Sequence, residues 1–173
     1  YYRSIEDVFE AIQTFSHQAK KAIIACGDDE HLPHLKADVP VYYYGLTEDS
    51  HVHAKNIDRT VEGSEFDVVV DGELFGRFTI PVFGEHNILN ALSVITVLYL
   101  EGFKASDINQ HIATFGGVKR RFSARQIQDL TIIDDYAHHP SEITATIDAA
   151  KQRYPKREIV AIFQPHTFSR TVA

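Results

Sequence analysis

The sequence has no methionine, no tryptophan and a single cysteine, Cys26, in 173 residues. With one thiol, no disulfide can close within the chain, which fits a reducing, cytosolic setting. Long apolar runs are missing too. None approaches the roughly 18 residues that a membrane-spanning helix needs, and nothing in these residues resembles a signal peptide. Positive charge is in short supply: 17 Lys and Arg stand against 24 Asp and Glu, a net charge of −7. That balance lacks the basic surplus of a nucleic-acid binder, so neither a nucleic-acid nor a membrane partner is expected. No G-x-x-x-x-G-K-S/T and no G-x-G-x-x-G occurs, so nothing in this chain by itself cradles a triphosphate. No serine or cysteine stands beside a histidine as a convincing nucleophile pair. Because methionine is missing even at position 1, the chain is expected to be processed or an excerpt of a longer protein.

What is present reads as α/β. A hydrophobic content of 44% is enough for one domain, or one and a fraction. Ile5, Val8, Phe9, Ile12 and Phe15 recur at helical spacing over residues 4–20, with Ser4 as cap and Asp7 three residues on. Residues 22–26 read as a strand ended by Gly27, residues 28–36 as a short helix, and residues 41–44 as a second strand. The period then changes to two. Residues 52–62, 65–70 and 73–80 are strand-like, and Asp71-Gly72 is a strong hairpin signal. Residues 84–101 form a long helix with Ile88, Leu92, Ile95 and Leu98/Tyr99 on one face, closed by Gly102. Ser106 caps a further helix ending near Phe115, and Gly116-Gly117 marks a boundary or hinge. Beyond it, residues 122–133 read as a hairpin whose second arm, 130–133, is a buried strand. Residues 141–154 read as a helix and 159–163 as a parallel-type strand, making a βαβ unit. A βαβ of this size cannot cover both faces of its sheet, so the second domain is expected to be truncated.

Four polar clusters punctuate this frame. Gly84-Glu85-His86-Asn87 opens the long helix, with Asn90 one turn on from Asn87. Asparagine side chains offer both donor and acceptor, as a purine edge or a hydroxyl pair requires, and they also suit a solvated helix start. Arg120-Arg121-Phe122 follows the Gly-Gly hinge, where arginines clamp phosphate bidentately or lie in a solvated linker. Asp134-Asp135-Tyr136-Ala137-His138-His139-Pro140 occupies a strand-to-helix turn, and ligands in open α/β sheets bind at the carboxyl ends of strands. Adjacent histidines point in different directions, so this pair is a weak metal signal and no metal ligand is assigned within the chain. Phe163-Gln164-Pro165-His166, with Ser169-Arg170-Thr171, follows the next strand.

In order and spacing these clusters resemble the Mur ligases, the ATP-dependent amide ligases that build the peptidoglycan precursor. G-x-H-N-x-x-N marks that superfamily. D-D-Y-A/G-H-H-P and F-Q-P-H resemble its alanine-adding branch and near relatives. The resemblance spans essentially the whole chain. It implies that residues 1–117 are the C-terminal portion of a central ATP-binding domain with an appended antiparallel β hairpin or meander, and that residues 118–173 begin a truncated Rossmann-like C-terminal domain. It implies ATP and Mg²⁺ as cofactors, with metal ligands mainly outside this fragment. UDP-N-acetylmuramate and L-alanine would be the substrates, in the cytoplasm, in service of cell-wall biogenesis and division. By the same resemblance His86, Asn87 and Asn90 would contact adenine, Asp135 and Tyr136 the ribose, and Arg121 the phosphates. His138, His139, His166 and Arg170 would face the carboxylate and amino acid, with Arg121 and His138 as the catalytic groups. Thr167 stands where the family often has arginine. The fragment alone is expected to be inactive. A murein tripeptide ligase of cell-wall recycling and a non-catalytic nucleotide- or partner-binding module remain as alternatives.

Overall fold

The computed structural model of the chain describes residues 2–164. Five strands form one sheet in sequence order: β1 (Ile23–Cys26), β2 (Val41–Gly45), β3 (Val52–Arg59), β4 (Ser64–Val70) and β5 (Glu73–Ile80). The first two pairings are parallel and the last two antiparallel. Parallel neighbours normally need a long crossover. Here β2 and β3 overlap at only two positions, Tyr44 with Val52 and Gly45 with His53, so the short loop between them suffices. The β4–β5 hairpin turns at Asp71 and Gly72, with φ of 48° and 86°. Both central residues at positive φ are what a type I′ turn requires.

The core lies on one face of β3–β5. In β4 the alternation is direct: Ser64, Phe66, Val68 and Val70 are buried and Glu65 is exposed. Against that face pack α2 (Glu85–Leu100) through Ile88, Leu92 and Ile95, and α3 (Ala105–Ile112) through Ile108. Helix α2 ends in a Schellman arrangement. Gly102 sits at φ 83°, its N–H donates to the Tyr99 carbonyl, and the Phe103 N–H donates to the Leu98 carbonyl. At the other end of the chain, Ser4 caps α1 (Ile5–Ser16) by accepting the Asp7 N–H at 3.3 Å.

A second, smaller unit follows: the hairpin β6 (Ser123–Ile127) and β7 (Leu130–Asp134), then α4 (Pro140–Arg153). No helix among the described residues is long and apolar enough to cross a membrane.

Four local expectations are corrected. Residues 28–36 contain only one 3₁₀ turn, Leu32–His34. The Asp29 carboxylate accepts the N–H groups of His31 and Leu32, and Asp28 accepts that of Leu46, so side chains take the place of a helical ladder. Ser106 does not cap α3. That helix starts at Ala105 with Lys104 in the cap position, and the Ser106 hydroxyl meets Asp107 instead. Residues 130–133 are not a buried strand: exposed and half-buried positions alternate along β7, and Leu130 is 68% exposed. Residues 159–163 make no strand, so the second unit is a hairpin plus helix rather than βαβ. That segment lies across a cavity of about 450 Å³ from β7 and α4 and carries Ile162 94% exposed.

Candidate functional site

The two units meet along a cleft of about 1160 Å³, bounded on one side by the start of α2 and on the other by the hinge, the end of β7 and α4. His86, Asn87, Asn90, Arg121 and Asp135 all line it.

The α2 wall is set by Gly84, at φ 86° and ψ 147°. This is territory that only glycine occupies without strain. A Cβ there would lie 2.7 Å from the His86 ring and 3.2 Å from the Ala149 Cβ of α4. Glycine therefore lets His86 fold back over the helix start and lets α4 approach. Asn87 donates from Nδ2 to the Phe83 carbonyl at 2.7 Å, and its Oδ1 receives Asn90 Nδ2 at 3.4 Å. The two amides are thus oriented as a pair one turn apart. Desolvation lowers the His86 pKa below its usual 6.5, with Arg121 and Arg59 pushing the same way and Asp135 and Asp148 opposing. His86 faces the cleft as a neutral ring.

The opposite wall is built by the hinge. Arg120 and Phe122 sit at φ 61° and 50°, left-handed positions that are strained for non-glycine residues, and Arg121 lies between them. Asp135 holds this bend from both carboxylate oxygens: Oδ2 accepts the Phe122 N–H at 2.7 Å and Oδ1 the Ala137 N–H at 2.8 Å. The Tyr136 N–H donates to the Arg120 carbonyl, and the Arg120 guanidinium lies 5.0 Å over the Tyr136 ring. Phe122 packs on Phe83 at 5.4 Å, joining the two walls. Arg121 makes no ion pair among the described residues, so its charge is available to the cleft.

Tyr136, His138 and His139 stand beside the cleft at the exposed turn and do not line it. His138 Nδ1 lies 3.1 Å from the Tyr136 carbonyl and 3.3 Å from Glu142 Oε2. Those acceptors hold the ring proton on Nδ1 and leave Nε2 as the open nitrogen. His139 is the N-cap of α4, with Nδ1 2.7 Å from the Ser141 hydroxyl. His166 and Arg170 lie outside the described residues. Among the described residues no three His, Cys, Asp or Glu side chains converge as a metal-binding group.

Three contributors escaped the sequence reading. Glu142 lines the cleft and accepts the backbone N–H groups of His138 and His139 at 3.0 and 3.2 Å. Its signal was present as a capping box with histidine in place of serine or threonine. Arg153 lies 4.7 Å over the Phe83 ring. Gln152 reaches Gly84. Neither of these last two carries a motif.

Two family models match the chain: the Mur ligase middle domain over residues 1–98, and the Mur ligase glutamate ligase domain over residues 120–171. The chain belongs to the Mur ligase family. It is 57% identical over all of its 173 residues to a UDP-N-acetylmuramate–L-alanine ligase of Levilactobacillus brevis, of which it covers 39%. Its fold matches the crystal structure of a UDP-N-acetylmuramate-alanine ligase from Thermotoga maritima with a TM-score of 0.81 at 28% identity, covering 94% of this chain and 37% of that one. A murein peptide ligase from Psychrobacter arcticus matches with a TM-score of 0.60 at 26% identity, covering 87% and 34%. The chain thus spans about two fifths of the length of the Mur ligases it resembles.

Proposed function

We propose that these residues form part of an ATP-dependent Mur ligase that joins L-alanine to UDP-N-acetylmuramate in the cytoplasm, with the cleft as its nucleotide site. The observation that carries this reading is the opposition of an amide-and-imidazole wall (His86, Asn87, Asn90) and an arginine (Arg121) with no ion-pair partner among the described residues, across one cleft. The apolar flank of α2, with Ala91 and Val94, gives a purine a surface to lie on. The paired amides of Asn87 and Asn90 meet its hydrogen-bonding edge, and neutral His86 adds a ring that carries no charge to desolvate. On this reading Arg121 meets the phosphates from the hinge and Asp135 the ribose, with Tyr136 beside it on the turn. In such a ligase the γ-phosphoryl group of ATP passes to the muramate carboxylate as ADP leaves, and the alanine amine then attacks the acyl-phosphate carbonyl and expels phosphate. The role of this chain's residues is to hold and neutralise. Arg121 stabilises charge that grows on phosphoryl oxygens, and a cation there acts most strongly where water is excluded. His138, with its proton held on Nδ1, offers Nε2 to the incoming amino acid, and the family resemblance gives His139, His166 and Arg170 to the same substrate. The described residues do not converge as a ligand set for Mg²⁺, and no step is derived through that ion. On this reading residues 1–117 belong to the central domain and residues 118–173 to the C-terminal domain.

The test is phosphate release from ATP by a polypeptide carrying these residues together with a phosphate-binding loop, in the presence of Mg²⁺ and UDP-N-acetylmuramate. Release that depends on L-alanine supports the proposal. Release that depends only on the tripeptide assigns the recycling reaction instead, and no release with either leaves a binding module.

A further inference from the structure

The junction between the two units turns on one side chain that belongs to no motif. Gln152, near the end of α4, spends its whole amide on the first unit. Its Nε2 donates to the carbonyls of Thr60 and Gly63 at 3.0 and 2.8 Å and lies 3.3 Å from the buried Ser64 hydroxyl. Its Oε1 accepts the Gly84 N–H at 2.9 Å and Arg59 Nε at 3.1 Å. The receptor is prepared in advance. Gly63 sits at φ 149°, and a Cβ there would fall 2.1 Å from the Ile80 carbonyl oxygen, so this turn is closed to other residues. The Gly63 carbonyl is also fixed by the Thr60 N–H at 2.9 Å. Beside Gln152, Asp148 pairs with the Arg59 guanidinium, and Arg153 covers Phe83.

These contacts converge on one lever. Gly84 is the residue from which α2 starts, so the helix bearing His86, Asn87 and Asn90 is tied by its first backbone N–H to α4. Helix α4 in turn begins at the turn that carries Asp135. We infer that Gln152 is a positioning residue that sets the spacing of the two cleft walls, with the Asp148–Arg59 pair as its electrostatic brace. An amide is suited to the task because it must give and accept hydrogen bonds at one point, which no charged or apolar side chain of that length does. The bearing of this latch on ligand binding rests on the nucleotide reading of the cleft. Its geometry does not.

The test therefore uses no nucleotide. In a Cys26→Ser background, spin labels at Leu74→Cys and Lys151→Cys, both exposed positions, report the distance between the units by electron–electron resonance. Amide exchange at Gly84 reports the latch bond itself. The expected result is a single narrow distance in the parent, a clearly broadened one in Gln152→Ala, and Gly84 exchange about tenfold faster, the equivalent of one net hydrogen bond. Gln152→Glu keeps the length and the acceptor but sets a carboxylate oxygen against the Thr60 and Gly63 carbonyls, so it broadens the distance as Gln152→Ala does, a result that loss of packing at α4 does not predict because the side chain keeps its size. Should Gln152→Ala fail to fold, Asp148→Asn removes the brace at a half-exposed site and broadens the distance while leaving Gly84 protected. Distances and Gly84 exchange that stay at the parent values in both Gln152→Ala and Asp148→Asn overturn the inference.

Discussion

Replacing Gly84 by alanine puts the physical account of the cleft at risk in a single experiment. The residue occupies φ 86° and ψ 147°, where a side chain costs about 1–3 kcal/mol in backbone strain. The added methyl also falls 2.7 Å from the His86 ring and 3.2 Å from the Ala149 Cβ. The ring is the end of a rotatable side chain and can swing away. Ala149 is buried in α4 and must yield by a few tenths of an ångström, adding roughly 1 kcal/mol. The sum is about 2–4 kcal/mol. With a denaturant slope of roughly 2 kcal/mol/M for a chain of this size, the urea midpoint followed by far-ultraviolet circular dichroism falls by about 1–2 M. Gly116→Ala is the matched control. Its φ lies outside the left-handed region and a Cβ there meets nothing within 4 Å, so it leaves the midpoint unchanged or slightly higher. A Gly84→Ala midpoint equal to that of Gly116→Ala refutes the strain argument, and with it the claim that glycine permits the approach of α4.

Further outcomes follow from the same geometry. The His138 and His139 backbone N–H groups hold the Glu142 carboxyl below its usual 4.5. A depressed acid contributes its stability fully above about pH 4.5 and loses it as pH falls through the lower folded value. Glu142→Gln should flatten the acid limb of the stability–pH curve, and an unaltered acid limb counts against the capping role. Desolvation places His86 below 6.5, so its contribution is present above that pH and lost as pH falls through the folded value. Its ring should titrate by NMR with a midpoint under 6.5, and a midpoint at or above 6.5 would show that burial does not dominate there. In a ligase polypeptide carrying these residues, Arg121→Ala should lower turnover roughly 10²-fold, as loss of a charge contact to the transition state does. Parent-level turnover removes Arg121 from the chemistry.

Much of the fold can be read from spacing because its core obeys simple periods. Phe66, Val68 and Val70 alternate along β4, Ile88, Leu92 and Ile95 recur along α2, and Asp71-Gly72 supplies the positive φ pair of the hairpin. The failures have local causes. Asp28 and Asp29 look like a helix start until their carboxylates are seen to bind the N–H groups of Leu46, His31 and Leu32. The apolar residues of 130–133 and 159–163 have the composition of buried strands, yet burial depends on what lies over them, and here β7, α4 and residues 158–163 border a cavity. The cleft was legible as clusters and not as mechanics. His86, Asn87 and Arg121 stand out as residue types. The strain at Arg120 and Phe122 leaves no mark, because neither is glycine. The double hold of Asp135 on Phe122 and Ala137 is likewise a tertiary fact.

The two walls of the cleft also differ in kind. His86, Asn87 and Asn90 ride on a helix whose inner residues Ile88, Leu92 and Ile95 have no exposed surface. Arg121 and Asp135 hang from a two-stranded ladder whose side chains remain largely open to water. A ligand entering between them finds one side already ordered, so the entropic cost of binding falls on the other. Calorimetry of any ligand that spans the cleft should then show an unfavourable entropy that shrinks as the β6–β7 hairpin is stiffened and that substitutions in the solvent-facing turns of α2 leave alone.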